Sequence, residues 1–263
     1  MSINRDEHLV YIHQDLANIM RKVVSSANLL GNGMDFFAVN GYLLQSLFLQ
    51  MTGAQEQKMK CICWELATDD LEYRYKRYYN KGWSLHQCST LTDKNHVYED
   101  LVEAIILRDS DFSLFDNDDA KRKFRDEILE QMTKIFKNTN IALCHKQEYE
   151  SFKDIFGRLD EKNIVTNKKD IFKMGNKENP VSCASSDTEI FAIYSLLYRH
   201  RNRCAHNTLS YQLNFPTFHE FRSEKHRKFD NIFLFYAVLL MIDGIFRRLF
   251  STYESLREVE PMS

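Results

Sequence analysis

The densest group of chemically capable side chains is Arg201-Asn202-Arg203-Cys204-Ala205-His206. Histidine is the side chain whose ordinary pKa suits proton transfer near neutral pH. Arginine carries a permanent planar fork that pairs two anionic oxygens at once. Together they suit a reaction in which a proton moves while negative charge grows on oxygen. The surroundings are basic as well. Between 199 and 228 the basic residues are Arg199, Arg201, Arg203, Arg222, Lys225, Arg227 and Lys228, and the acidic ones are Glu220 and Glu224. Seven minus two is +5, in a chain whose formal net charge is −2. His200, His219 and His226 fall in the same stretch. A local patch of this kind is what phosphate binding needs, and the overall charge excludes a protein coated in cations.

The elements that must position this group read as helices. Gly 8 and Pro 3 in 263 residues leave few breakers, which favours long helices over many short strands. Leu9, Ile12, Leu16, Ile19 and Val23 recur at helical spacing and predict a helix over 4–29. Gly31-Asn32-Gly33 ends it. A second helix is predicted over 34–52, stopping at Gly53, and a third over 54–79 with Met59, Ile62, Cys63 and Leu66 on one stripe. Residues 80–93 read as a loop and 95–108 as a helix. The acidic run at 116–119 suits a helix N-terminus, with Phe124, Ile128, Met132 and Ile135 as the buried face to about 138. A short helix is expected at 146–158 and a long surface loop at 160–185.

Ser186 and Glu189 fit a capping box, and Ile190, Ile193, Tyr194 and Leu197 continue as one stripe. Arg201 lies four residues after Leu197, so it extends that stripe toward protein. His206 is five residues further, about 140° round a regular helix. The two share a face only if the helix ends or distorts between them, and Asn207 suits such an ending. After a polar loop with Pro216, a last helix is expected from about 228. It carries eleven apolar residues, IFLFYAVLLMI at 232–242, closed by Asp243. Apolar on all sides, it must be buried, and it is too short to span a bilayer. No strand pattern or repeat is visible. The expected fold is an all-α multi-helix bundle with a C-terminal helical hairpin carrying the motif. Residues 1–185 are expected to form a helical N-terminal region with a regulatory or specificity role, either apart from 186–263 or in one compact helical domain with it, and 186–263 the core that carries the motif.

Other chemistries find little support. The opening MSINRDEHLV is polar, without a secretory pattern, and the six cysteines read as reduced thiols of a cytoplasmic protein. No glycine-rich phosphate loop or dinucleotide fingerprint occurs. Cys61-Ile-Cys63 and Cys204-Ala-His206 are not at zinc-finger spacings. No metal or cofactor is expected. Tyr73, Tyr75, Tyr78 and Tyr79 read as helix packing rather than base stacking.

The Arg-Asn-x-x-x-His arrangement at 201–206, with Ala before the His and helices on both sides, resembles the signature of the HEPN superfamily. The resemblance covers about 186–257, and the helical residues 1–185 are compatible with it. It implies a metal-independent endoribonuclease in which the RNA 2′-hydroxyl attacks the adjacent phosphodiester, leaving 2′,3′-cyclic phosphate and 5′-hydroxyl ends. It implies His206 as general acid or base, Arg201 as phosphate clamp and Asn202 as an orienting residue, with the surrounding cations on RNA, tRNA included. It further implies a homodimer with a composite cleft, an anti-phage or toxin setting, and an antitoxin or regulatory partner. Many members have Gly after the His, where this chain has Asn207. Family members also use an acidic or polar residue from another helix; Asp187 and Glu189 are near in sequence but two to three turns away. Two readings stand beside this one. The fold can bind RNA or nucleotide without cutting. Alternatively the hairpin is a protein-interaction surface, with Arg201 a structural ion pair and His206 bonding the last carbonyls of its helix.

Overall fold

The computed structural model describes residues 5–29, 34–77, 88–165, 167–173, 188–206 and 228–259. Among these the chain is all-α: a multi-helix bundle without a strand. The helices are α1 (Arg5–His13), α2 (Ala17–Asn28), α3 (Met34–Asp69), α4 (Leu71–Tyr75), α5 (Leu91–Ile106), α6 (Asp118–Phe136), α7 (Asn140–Cys144), α8 (Lys146–Gly157), α9 (Glu189–His206) and α10 (Ile232–Val259).

Several boundaries differ from the periodicity: the helix expected over 54–79 breaks at Asp70, the last helix starts at 232 rather than 228, and two further differences have a clear cause. The helix expected over 4–29 is interrupted at residues 14–16. There the Lys58 ammonium donates to the Gln14 carbonyl. The Leu16 amide donates to Asp243 Oδ2 at 3.2 Å, and the Ala17 amide to Asp15 Oδ1 at 2.9 Å. Side chains thus take backbone groups that a continuous helix would pair internally. The break expected at Gly53 does not occur. Gly53 is exposed and a Cβ there would meet nothing within 4 Å. Packing of Met51, Met59, Ile62 and Leu66 in the core outweighs a mid-helix glycine cost of about 1 kcal/mol.

Other ends follow local chemistry. Asp70 caps α4 by accepting from the amides of Glu72 and Tyr73 at 2.8 and 3.0 Å. Thr90 and Asp93 form a reciprocal capping box that starts α5 four residues before the expected 95. Asn117 accepts from the Ala120 amide at 2.9 Å and caps α6. The expected surface loop at 160–185 opens with a 3-10 turn, Glu161–Asn163, and an isolated bridge between Ile164 and Phe172. Ser186 and Asp187 lie outside the described residues. Glu189 is the first residue of α9 rather than the third, and its carboxylate pairs with Lys228 at 2.7 Å.

α10 is the axis. It packs against α1, α3, α5, α6, α8 and α9, and Phe233 through Ile242 are all buried. One apolar cluster runs from Ile12 to Tyr253, so residues on both sides of 185 share a core. Gly244 lets α6 approach closely, since a Cβ there would sit 2.9 Å from the Phe124 ring. Asp243 closes the apolar run, and the helix continues past it to Val259. The Asp243 carboxylate is buried in mid-helix, 2.7 Å from Lys58 Nζ and 3.1 Å from Arg247 Nε. Burial raises the Asp243 carboxyl and lowers the Lys58 ammonium, while each charge opposes the shift of the other. Among the described residues no helix is long and apolar enough to cross a membrane.

Removing one member of a buried pair costs about 3–5 kcal/mol where the other charge is left alone. Asp243 keeps Arg247 at 3.1 Å, so Lys58→Ala is expected to lose less than that in urea unfolding but more than the ~1 kcal/mol of a surface pair, and Lys58→Met with Asp243→Leu to lose less again. A Lys58→Ala cost below about 1 kcal/mol would show that the network does not hold α1, α3 and α10 together.

Candidate functional site

Arg201 sits where its spacing places it. Ile190, Ile193, Tyr194 and Leu197 are buried, and the same stripe carries the guanidinium into the seam between α9 and α3. There Nη2 donates to Glu56 Oε1 at 2.9 Å, with the two side chains 25% and 16% exposed. Nη1 donates to Asn202 Oδ1 at 3.2 Å. The register of α3 is fixed one residue earlier: buried Gln55 donates its Nε2 to the Leu239 carbonyl of α10 at 3.0 Å. Glu56 is therefore presented to α9 by a helix already fastened to the axis.

Behind this pair lies Lys94. It is buried, and its Nζ donates to the carbonyls of Cys88 and Ser89 at 2.8 and 2.9 Å. Burial pulls its ammonium down to about 8, partly opposed by the Glu56 carboxylate. Thr52, Glu56, Lys94, Tyr194 and Arg201 surround a space of about 10 Å³, the size of one water. One carboxylate against two cations leaves the cluster net positive, which favours an anion beside the quarter-exposed Arg201 side chain. The space itself is too small for any part of a nucleotide.

α9 runs unbroken through Arg201 to His206. The helix neither ends nor distorts between them, so the condition for a shared face is not met and the two positions stay about 140° apart on one helix. His206 is the last helical residue; its side chain lies outside the described residues, as does Asn207. Asn202 is half-buried beside Arg201.

The basic patch divides. Arg199 and Arg203 lie on α9 and each has an interaction with neighbouring groups. Lys228 pairs with Glu189 and lies 4.8 Å from the centre of the Phe229 ring. Arg222, Lys225, Arg227, His219 and His226 lie outside the described residues. His200 does not contribute positive charge. Its ring packs 5.0 Å from Phe48 and 5.6 Å from Phe235, and Nε2 lies 3.5 Å from Cys204 Sγ. Burial, with help from the Arg203 charge, lowers its pKa to about 4.

Glu56 and Lys94 are the residues that sequence reasoning missed. Glu56 stands 145 positions before Arg201, and no spacing connects them. Lys94 falls between the loop expected over 80–93 and the helix expected over 95–108. Asp187 lies outside the described residues, and Glu189 is engaged with Lys228 rather than with the motif. Among the described residues, no group of three or more His, Cys, Asp or Glu converges as metal ligands would. No protein-family model, curated protein or solved structure matches the chain.

His200 generates a pH dependence. Its folded pKa lies below the ordinary 6.5, so between about 6.5 and 4 the unfolded chain binds the proton and the folded chain does not. Stability therefore falls as pH drops through that window, by up to roughly 3 kcal/mol. Urea unfolding at pH 7 and pH 4 is expected to show a smaller loss for His200→Leu than for the parent. Equal losses would mean that His200 is not the buried neutral group described.

Proposed function

We propose that the chain is a metal-independent endoribonuclease of the HEPN type. The observation that carries this reading is the ion pair between Arg201 on α9 and Glu56 on α3. Glu56 is an acidic residue on another helix, the kind of partner the resemblance at 201–206 implies, and it pairs with an Arg201 side chain that stays a quarter exposed. The fixed fork is worth more to a developing phosphorane than a mobile one, because no reorganisation is needed as charge grows.

The reaction follows from these roles. The 2′-hydroxyl oxygen attacks the adjacent phosphorus and its proton leaves. The bond to the 5′-oxygen breaks, and that oxygen takes a proton. Arg201 pairs the non-bridging oxygens, His206 moves a proton near neutral pH, and Asn202 and Glu56 orient Arg201. The roughly 140° between Arg201 and His206 supports a composite cleft in a symmetric homodimer, with RNA, tRNA among the candidates, bound over the outer edge of α9. Arg199, Arg203, Arg222, Lys225, Arg227 and Lys228 are the proposed backbone contacts. Such an activity harms its host, which supports a role in anti-phage defence or as a toxin, held in check by an antitoxin or regulatory partner.

The same ion pair also favours a second reading, in which Arg201 is a structural cation of a non-catalytic RNA- or nucleotide-binding module or of a helical interaction protein. The products decide. Incubated with total RNA or tRNA in EDTA, the parent protein is expected to yield fragments with 2′,3′-cyclic phosphate ends, and His206→Ala none. RNA binding by the parent without cleavage would favour the binding module. Cleavage that His206→Ala retains in full would remove the assigned site.

A further inference from the structure

A groove of about 830 Å³ lies between α6 and the C-terminal half of α10, a volume usual for small-ligand sites. None of its described lining residues belongs to α3, α5 or α9, the helices around Arg201. Arg21, Gln131 and Lys134 also line a second space of about 300 Å³ between α2 and α6, so the two join as one trough. Arg248 stands on the wall of the larger groove. Its guanidinium carbon lies 4.5 Å from the centre of the Phe124 ring and 5.7 Å from that of Phe115. Both rings are buried, yet the Arg248 side chain is 42% exposed. Contact with the rings steadies a planar cation that is still open to solvent.

Four permanent cations, Arg21, Lys134, Arg247 and Arg248, line the larger groove against two carboxylates, Glu127 and Glu130. Arg247 is committed elsewhere, 3.1 Å from Asp243 and 3.5 Å from Asp15, and His13 pairs with Glu254. The other three cations are held loosely. Arg21 lies 3.9 Å from Asp15. Arg248 pairs with Glu127 at 2.6 Å, and Lys134 with Glu130 at 2.7 Å, all four side chains being exposed. Exposed pairs of this kind are worth little and are screened by salt, so a phosphate can take the place of either carboxylate. Glu127 and Lys134 are seven residues apart on one face of α6, about 10 Å along its axis. A base, a sugar and a phosphate together bridge such a span.

We propose that this trough is a ligand site separate from Arg201, and that it binds a nucleotide. The base stacks on the Arg248 guanidinium, as bases do on arginine planes. The phosphate pairs with Lys134 and Arg21 in place of the exposed carboxylate of Glu130. The chemistry recognised is a planar base joined through a sugar to a phosphate. A free nucleotide and a nucleotide within a strand both present it. The site stands on its own residues and does not depend on the reading of Arg201 and His206.

The test titrates the full chain at low salt with ADP and with inorganic phosphate by calorimetry. A fluorescein-labelled 2′-O-methyl hexaribonucleotide, which has no free 2′-hydroxyl to attack, is followed by anisotropy. Arg248→Lys keeps the charge and loses the plane. It is expected to weaken ADP about tenfold while leaving phosphate binding unchanged, and Lys134→Gln to weaken both. Loss of hexanucleotide affinity in Arg248→Lys, without ADP binding to the parent, would assign the site to a nucleotide within a strand. Arg201→Ala is expected to bind ADP as the parent does, whether or not the parent cuts RNA. The proposal is overturned if neither ADP nor the hexanucleotide binds, or if Arg248→Lys and Arg248→Ala bind both as the parent does. Loss of ADP binding in Arg201→Ala would also overturn it.

Discussion

A helix that is apolar on every side cannot rest on a surface; it has to be wrapped. α10 imposes that constraint on the chain. From Phe233 to Ile242 every side chain is buried, and six helices from both ends of the sequence supply the cover. Wrapping brings α3 and α9 side by side against Leu239 of α10, and this seam is where Glu56 meets Arg201. The axis carries one buried charge, Asp243, which cannot be left alone in a core. Lys58 answers it, and the same two side chains take backbone groups of Gln14 and Leu16. The turn between α1 and α2 is thus a consequence of a carboxylate more than two hundred positions away.

The candidate site draws its character from partial burial. A fully buried ion pair has to overcome desolvation of both partners, and a fully exposed one is worth little. Arg201 and Glu56 lie between, at 25% and 16% side-chain exposure. That is enough cover to fix the guanidinium and enough opening to leave an edge for an anion. Lys94 matters to the balance because its charge also acts on Glu56. If Arg201 is removed, Glu56 keeps a cation in its field, and the fold is spared an isolated buried carboxylate.

The sequence was legible where one periodicity ran into one cap or one break. The apolar run at 232–242, the stripe leading to Arg201, and the acidic start of α6 all follow from local spacing. Gly53 was misleading because breaker propensity is about 1 kcal/mol and core packing on the opposite face exceeds it. Residues 14–16 were misleading for the converse reason: the spacing from Leu9 to Val23 is helical, and the interruption is made by Lys58 and Asp243. The partner of Arg201 was illegible for the same kind of reason. Nothing local marks Glu56; it becomes part of a site only when α3 docks on α10 through Gln55. His200 illustrates the remaining gap, since a histidine among arginines reads as part of a basic patch until Phe48 and Phe235 are seen to enclose it.

The central claim is that Arg201 is held by Glu56 for chemistry rather than for stability. Arg201→Ala, assayed in one preparation for melting temperature and for RNA cleavage, tests it most directly. A quarter-exposed pair is worth on the order of 1 kcal/mol or less, so the melting temperature should move by a few degrees. Loss of a charge-stabilising donor should lower cleavage by about 10²–10³-fold. A variant that melts far below the parent, drawn from a parent that neither cuts nor binds RNA, would contradict the account and leave Arg201 as a structural cation.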